Sequence, residues 1–343
     1  MALLWMEGFE GYSSYADIMN DNRYAEDTTS GAATLVSGRG GGQALQCANS
    51  AMIALVILPQ NSSSTIYGGF AFKDTSSTTS IRDIFHFGGD SSATPTFYVG
   101  IYNKTVYIST SLSDTTPLVS ARYITNVWHY VSFKIFLNNS TGTIDLYLDG
   151  VLEDSGTGLD TIGSGADSTI KVITFDAPNL YTSVLFDDIY FGDDSGSDLT
   201  DIVKEIAIES LLPDGAGGSS QFTPLSGSNY QNVDETTSDG DTTYNSSSTA
   251  THKDLFTTAS MSTTSGTVYA VQVKNKFSKD DASYRTVKNK IKSSATESDG
   301  STTGATYSEY KTNVDIFEND PNGGGNWTIS SVNAIEIGYE VVD

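Results

Sequence analysis

Trp128-His129-Tyr130-Val131-Ser132-Phe133-Lys134-Ile135-Phe136-Leu137, then Asn138-Asn139-Ser140-Thr141-Gly142, then Thr143-Ile144-Asp145-Leu146-Tyr147-Leu148-Asp149-Gly150, is the stretch whose reading decides the fold. Val131, Phe133, Ile135 and Leu137 alternate with Ser132, Lys134, Phe136 and Asn138. A period of two reads as a strand with one buried face. Asn138 to Gly142 supplies turn residues that tolerate positive φ. Ile144, Leu146 and Leu148 then alternate with Asp145, Tyr147 and Asp149, and Asp149-Gly150 is another tight-turn pair. The reading is a β-hairpin followed by the start of a third strand. Trp128, Phe133, Leu146 and Leu148 are expected in the core, and His129 on the strand surface.

This hairpin resembles that of laminin-G-like and concanavalin A-like jelly rolls, where a Trp begins one strand and a Leu-Tyr-Leu-Asp-Gly run ends the next. The resemblance implies a two-sheet antiparallel sandwich of roughly 200 residues. It implies no activity, because that sandwich hosts lectins, glucanases, adhesion modules and inert structural parts. A second segment, Val184-Leu185-Phe186-Asp187-Asp188-Ile189-Tyr190-Phe191-Gly192-Asp193, is similar to the last strand of laminin-G-like sandwiches, which returns beside the first. Here it is expected to pair with Leu4 to Phe9. The polar run Asp194-Ser195-Gly196-Ser197 then suits a domain boundary. The expected organisation is a laminin-G-like jelly roll over 1–196 and a second, smaller all-β domain over 197–343.

Composition agrees with an all-β chain. Of 343 residues 38% are hydrophobic, 19 are Tyr and 15 are Phe. Long runs of helix formers are scarce, which favours strands and turns. The net charge of -24 is spread evenly, with 8 basic against 21 acidic residues up to Gly196 and 10 against 21 after it. No basic half exists to bind a phosphate backbone or an anionic membrane. Cys47 is the only cysteine, so no intrachain disulfide holds the fold. The start, Met1 to Glu7, lacks the basic segment and the apolar length of a signal peptide, and the longest apolar run, Ala51 to Pro59, is far short of a membrane span.

Further strands are expected at Tyr67 to Lys73, Ile81 to Gly88, Thr96 to Tyr102 with Thr105 to Ser109 around Asn103-Lys104, and Thr169 to Phe175. Gly68-Gly69 hints at a bulge. Leu199 to Leu212 reads as a strand because Ile and Val dominate. Pro213 to Ser248 is turn-rich and long for a structureless loop. Thr267 to Phe277, Tyr284 to Lys292, Thr306 to Asn313 and Ile335 to Val342 are strand candidates. The runs Leu211-Leu212-Pro213-Asp214-Gly215, Asp239-Gly240-Asp241-Thr242-Thr243-Tyr244 and Asn326 to Glu336 look like the C-terminal part of structural proteins found in tailed-phage genomes, which often follows a laminin-G-like front half.

A glucanase-type jelly roll carries alternating carboxylates on one strand. The nearest match, Glu205-Ile206-Ala207-Ile208-Glu209, has Ala207 in the middle. His86, His129 and His252 lie at no metal-ligand spacing, and no Gly-x-Ser-x-Gly elbow occurs. Arg39-Gly40-Gly41-Gly42 has no following Lys-Ser/Thr, so it is not a P-loop. Asp187, Asp188, Asp193 and Asp194 are the densest carboxylate cluster. Laminin-G-like domains often bind calcium through such residues, and the resemblance implies Asp187, Asp188 and Asp193 as calcium ligands. Tyr98, Tyr102, Tyr107, Tyr123 and Tyr147 are candidates for a sugar-stacking platform, weighed against ordinary cross-strand packing.

The resulting expectation is a non-enzymatic virion structural protein on the exterior of a tailed bacteriophage, a head decoration or tail accessory, assembled in the host cytoplasm. Its partners would be other capsid or tail proteins and further copies of itself, with no nucleic acid and no membrane insertion. The alternative is a carbohydrate-binding module of a tail fibre that recognises host surface glycans. A polysaccharide-cleaving enzyme is the third reading.

Overall fold

The computed structural model describes residues 3–19, 21, 23–27, 32–48, 53–57, 61–76, 82–88, 95–110, 118–163, 169–176, 183–196 and 201–343. The chain divides into two compact units. The first comprises 1–10, 14–19 and 23–208, and the second 11–13, 20–22 and 209–343. Both are built from antiparallel sheets, as the sequence leads one to expect.

In the first unit the strands are β1 (Leu3–Glu7), β2 (Tyr24–Asp27), β3 (Ala32–Ser37), β4 (Gln43–Ala48), β5 (Ile53–Ile57), β6 (Thr65–Asp74), β7 (Arg82–Gly88), β8 (Pro95–Tyr102), β9 (Thr105–Ser109), β10 (Val119–Arg122), β11 (His129–Phe136), β12 (Gly142–Leu148), β13 (Val151–Leu159), β14 (Val172–Phe175) and β15 (Ser183–Asp193). One sheet runs β13-β12-β11-β6-β15-β4-β3 with β1 also on β15, and the other runs β10-β9-β8-β7-β14-β5-β2. A short helix, α1 (Tyr15–Met19), follows β1.

The decisive hairpin forms in the expected register, from Val131 opposite Leu148 to Phe136 opposite Thr143. Phe133 and Leu146 are fully buried and Leu148 nearly so. Asp149 and Gly150 have φ of 50° and 78°, and Asn103 and Lys104 have 48° and 61°, which matches two-residue hairpin turns that follow the right-handed twist of the strands. The turn at 138–142 works differently. None of its residues has positive φ; instead Asn138 Oδ1 accepts the N–H of Ser140 (3.0 Å) and Thr141 (2.9 Å), an Asx turn.

Two expectations fail at the start of the hairpin. Trp128 is only half-buried, one residue short of the strand. His129 is buried rather than exposed. Ile124 N–H donates to its Nε2 (3.0 Å), so Nδ1 carries the proton toward Asp149 Oδ2 (2.7 Å). The ring serves as a fixed strut between two loops.

Aromatic rings from both sheets fill the interior. Phe70 of one stacks on Phe85 of the other at 4.6 Å, and Phe87 meets Phe133 at 5.2 Å and Phe191 at 5.4 Å. Gly68 and Gly69 are not a bulge, since β6 pairs with β11 without a break. A Cβ on Gly69 would lie 2.8 Å from the Tyr130 ring and 2.9 Å from the Tyr190 ring, so the glycine is required for close approach. The bulge sits across from it, in β15, between Asp187 and Tyr190.

Leu199 to Leu212 was expected as a strand, yet 201–212 forms none. Instead 201–208 lies along the outer face of the first sheet. Tyr190 Oη accepts Val203 N–H (2.9 Å), Ser132 Oγ donates to Lys204 O (2.8 Å), and Lys134 Nζ reaches Asp201 (2.7 Å). The first unit therefore ends at Ile208, beyond the expected boundary at 196.

The second unit contains β16 (Pro213–Ser220), β17 (Thr223–Pro224), β18 (Asn245–Ser246), β19 (Lys253–Thr258), β20 (Val271–Phe277), β21 (Thr286–Ser293), β22 (Thr296–Gly304), β23 (Lys311–Phe317) and β24 (Ile335–Val341), with a 3-10 turn at Asn229–Asn232 and a one-turn helix α2 (Ile329–Val332). Its main sheet runs β16-β19-β24-β21-β22, and β20 pairs with β23. The strand expected at 306–313 runs instead over 311–317. Val273, Ile291, Trp327, Val332 and Ile335 form a small core. Lys253, Lys288, Lys290 and Lys292 interleave with Glu297, Asp299, Glu336 and Glu340 across the sheet. Such a ladder solvates one face and leaves only the other to bury apolar surface.

Candidate functional site

The expected carboxylate cluster falls where β15 changes partners. Its first half, 183–186, pairs with β4, and its second half, 189–192, pairs with β1. Between them the ladder is open, and Asp188 adopts φ of 49°. Asp187 and Asp188 occupy this fork, and topology brings Arg39 and Glu10 to it.

Every oxygen of the two aspartates is engaged. Asp187 accepts Asp188 N–H (2.8 Å) and Arg39 N–H (2.7 Å). Asp188 accepts Ile208 N–H (2.7 Å) and Arg39 Nη1 (3.2 Å). Arg39 also pairs with Glu205, donates to Ile206 O (2.9 Å), and lies over the Tyr130 ring at 5.4 Å. Glu10 Oε1 accepts Gln43 N–H at 3.3 Å. A Cβ on Gly42 would meet the Glu10 carboxylate and displace it.

One guanidinium serves several carboxylates, so charge is under-compensated. Burial, and then the Asp187 charge, push Glu10 up from 4.5 to about 8. Burial, and then Asp188, push Asp187 up from 3.8 to about 7. Burial also raises Asp188. The cluster thus retains protons near neutrality. Folded values above unfolded ones mean a contribution that is full below about pH 4 and lost as pH rises through 7 to 8. Glu10→Gln is therefore expected to flatten the melting curve against pH between about 4.5 and 8 and to change its slope little beyond that. At pH 9 it should be more stable than the natural chain by on the order of 1–2 kcal/mol, solvent screening included. Thermal melts across that range provide the check. Between about pH 4 and 6.5 His86 adds a slope of the opposite sign to that of the carboxyls: burial pushes it down from 6.5 to about 4, so stability falls as the unfolded chain takes up that proton.

The expected calcium set does not assemble. Asp193 belongs elsewhere, accepting Ser62 N–H (2.5 Å) and Ser195 N–H (3.0 Å). Among the described residues no group of three or more His, Cys, Asp or Glu is placed to hold a metal ion. Asp187 and Asp188 face a cation that the chain itself supplies.

The other candidates disperse. Glu205 meets Arg39 in the first unit, whereas Glu209, in the second, accepts the N–H of Ser262 and of Thr263. His252 Nδ1 meets Ser247 Oγ at 2.9 Å, while His129 Nδ1 meets Asp149 Oδ2 at 2.7 Å and His86 Nε2 lies 3.9 Å from Asp176 Oδ2. Among the tyrosines, Tyr107 and Tyr123 are buried, with hydroxyls on Asp83 (3.0 Å) and Asp74 (2.6 Å). Tyr98 packs edge-on against His86 at 4.8 Å, and Lys204 covers Tyr147 at 5.2 Å. Tyr102 alone of the five is exposed, at 45%. No flat aromatic platform results. In the Asp-Gly-Asp turn, Asp239 accepts Thr243 Oγ1 (2.9 Å) and Asp241 accepts the Tyr310 hydroxyl.

No family model matches the chain, and no curated protein matches it. Solved structures with some likeness include a carbohydrate esterase of the Shiga toxin-encoding bacteriophage phi24B, with 15% identity, 55% of this chain, 98% of that one and a TM-score of 0.37. A β-glucanase catalytic domain from Podospora anserina gives 13%, 57%, 97% and 0.37. The receptor-binding domain of a botulinum neurotoxin C/D mosaic gives 15%, 49%, 42% and 0.36. Likeness at this level carries no argument about activity, and the fold rests on the sheets described above.

Proposed function

We propose that the protein is a non-enzymatic component of the outer surface of a tailed-phage particle, a head decoration or tail accessory that acts by docking. It would be made in the host cytoplasm and built into the particle in several copies, against capsid or tail proteins. The observation that carries the reading is how the acidic residues are spent. Glu205 and Glu209, the nearest match to a glucanase strand, serve separate structural tasks in separate units. The fork carboxylates likewise hold loops through backbone N–H groups. Side chains fully occupied in this way are ill placed for acid–base chemistry on a substrate. The phage-like runs in the second half support the same reading.

The test is turnover. The purified protein, Glu205→Gln and Glu209→Gln are incubated with a panel of bacterial surface polysaccharides, and new reducing ends are counted. None should appear with any of the three. Turnover by the natural chain that either substitution abolishes would overturn the proposal.

A further inference from the structure

The first unit gathers its exposed apolar surface at one end. Six of its large hydrophobic side chains stand exposed among the described residues. Five of them, Tyr102, Ile124, Val127, Val151 and Leu152, lie where β8, β10 and β12 end and β9, β11 and β13 begin, and are 45% to 65% exposed. Hydrophobic side chains scattered singly over a surface need no explanation, whereas a contiguous group marks an interaction site.

Register and hydrogen bonds make the group contiguous. Thr105 pairs with Tyr102 on one side and Arg122 on the other, and Tyr123 N–H donates to Lys104 O (3.1 Å). His129 ties Ile124 to Asp149 in the next turn. Ser120 N–H donates to Asp154 Oδ2 (3.0 Å), which sets the end of β10 beside the start of β13. The loop at 123–127 is also firmly anchored. Asn126, at φ of 63°, donates its N–H to Asp74 O (2.8 Å), and the Tyr123 hydroxyl reaches Asp74 Oδ2 (2.6 Å). Asp74 is itself locked to buried Arg82. A loop held in this way loses little freedom when its apolar side chains are covered.

Charge is divided across the patch. On one flank Lys104 and Arg122 are exposed and make no ion pair among the described residues. On the other flank Glu153 is likewise exposed and unpaired, beside the half-exposed Asp149 carboxylate that His129 and Tyr130 N–H hold in place. Cations on one side, carboxylates on the other and apolar surface between them form a patch that complements itself when turned about a two-fold axis. Away from such a patch the net charge of -24 opposes the approach of another copy, so the charge pattern selects this end.

We propose that this end of the first unit is an isologous interface between two copies of the chain. Arg122 of each copy faces the partner's Glu153, and Ile124 and Val127 meet their two-fold counterparts between the charged flanks. The proposal stands apart from the assignment to a phage particle, since self-association is measured with neither a particle nor a polysaccharide.

The test is sedimentation velocity on the full-length protein over a micromolar concentration series at physiological ionic strength. The natural chain should form a dimer with Kd on the order of 10 µM. Ile124→Asp, which puts a carboxylate into the apolar middle, should weaken the dimer at least about tenfold. Arg122→Glu and Glu153→Arg, both at exposed positions, should each weaken it by about tenfold through like-charge contacts. An equimolar mixture of these two variants should dimerise as well as the natural chain, because both opposite-charge pairs are then restored. A natural chain that stays monomeric or grows past a dimer, a dimer that Ile124→Asp leaves unchanged, or a mixture that associates no better than either variant alone would each overturn the proposal.

Discussion

Asp74→Ala is expected to destabilise the first unit by about 3–5 kcal/mol, because it strands a buried guanidinium. Arg82 and Asp74 are 2% and 1% exposed. Asp74 accepts Arg82 Nη1 (3.1 Å) and Nη2 (2.9 Å), Ser76 Oγ (2.7 Å) and the Tyr123 hydroxyl (2.6 Å). Burial alone would raise this carboxyl, but bonds from Arg82, Tyr123 and Ser76 outweigh it and hold it below the usual value. Removing the acid leaves the arginine charge without its counter-ion in a dry site. Replacing both partners together, Asp74→Leu with Arg82→Met, should recover most of the loss, since an apolar pair of similar volume avoids both desolvation costs. Urea unfolding of the three variants measures this. A single variant as stable as the natural chain would mean that the pair is solvated.

Phe133→Ala is expected to cost a further, independent 3–5 kcal/mol or so. The ring is fully buried, touches Phe87 and Phe97 of the opposite sheet, and lies over the backbone of Gly68. No small shift can refill the space, because the neighbours are rings fixed on two sheets. For a unit of about 200 residues the loss corresponds to a fall in Tm of roughly 6–20 °C. A soluble variant with unchanged Tm would contradict the sandwich interior described here. Asp74 and Phe133 share no contact among those described, so the two effects should add.

The same hairpin explains why much of the first unit is legible in sequence. Val131 to Leu148 alternates cleanly and is punctuated by residues with an evident turn chemistry. Elsewhere the signal is absent for physical reasons. β22, Thr-Glu-Ser-Asp-Gly-Ser-Thr-Thr-Gly, has no apolar face at all, since its place is secured by pairing with β21 and by the lysine–carboxylate ladder. Ile202, Ile206 and Ile208 look like a strand, yet the backbone there is satisfied by Tyr190, Ser132, Arg39 and Asp188 side chains instead of a neighbouring strand. Such bonds leave no periodic trace.

The candidate site was half legible. Adjacent Asp187 and Asp188 stand out in any reading. Arg39 and Glu10 do not, because nothing local marks them; they reach the fork only through the return of β15 beside β1 and β4. An arginine opening a Gly-rich bend, and a glutamate between two glycines at Gly8 and Gly11, were the available hints. Asp193 shows the converse: proximity in sequence to Asp187 placed it in the expected set, but β15 carries it to another loop.

The proposed place on a tailed-phage particle is tested by electron cryomicroscopy of purified virions. The account predicts density for both β-sandwich units on the outer surface, repeated over the head or along the tail and in contact with capsid or tail proteins. Particles that lack the chain altogether would contradict it.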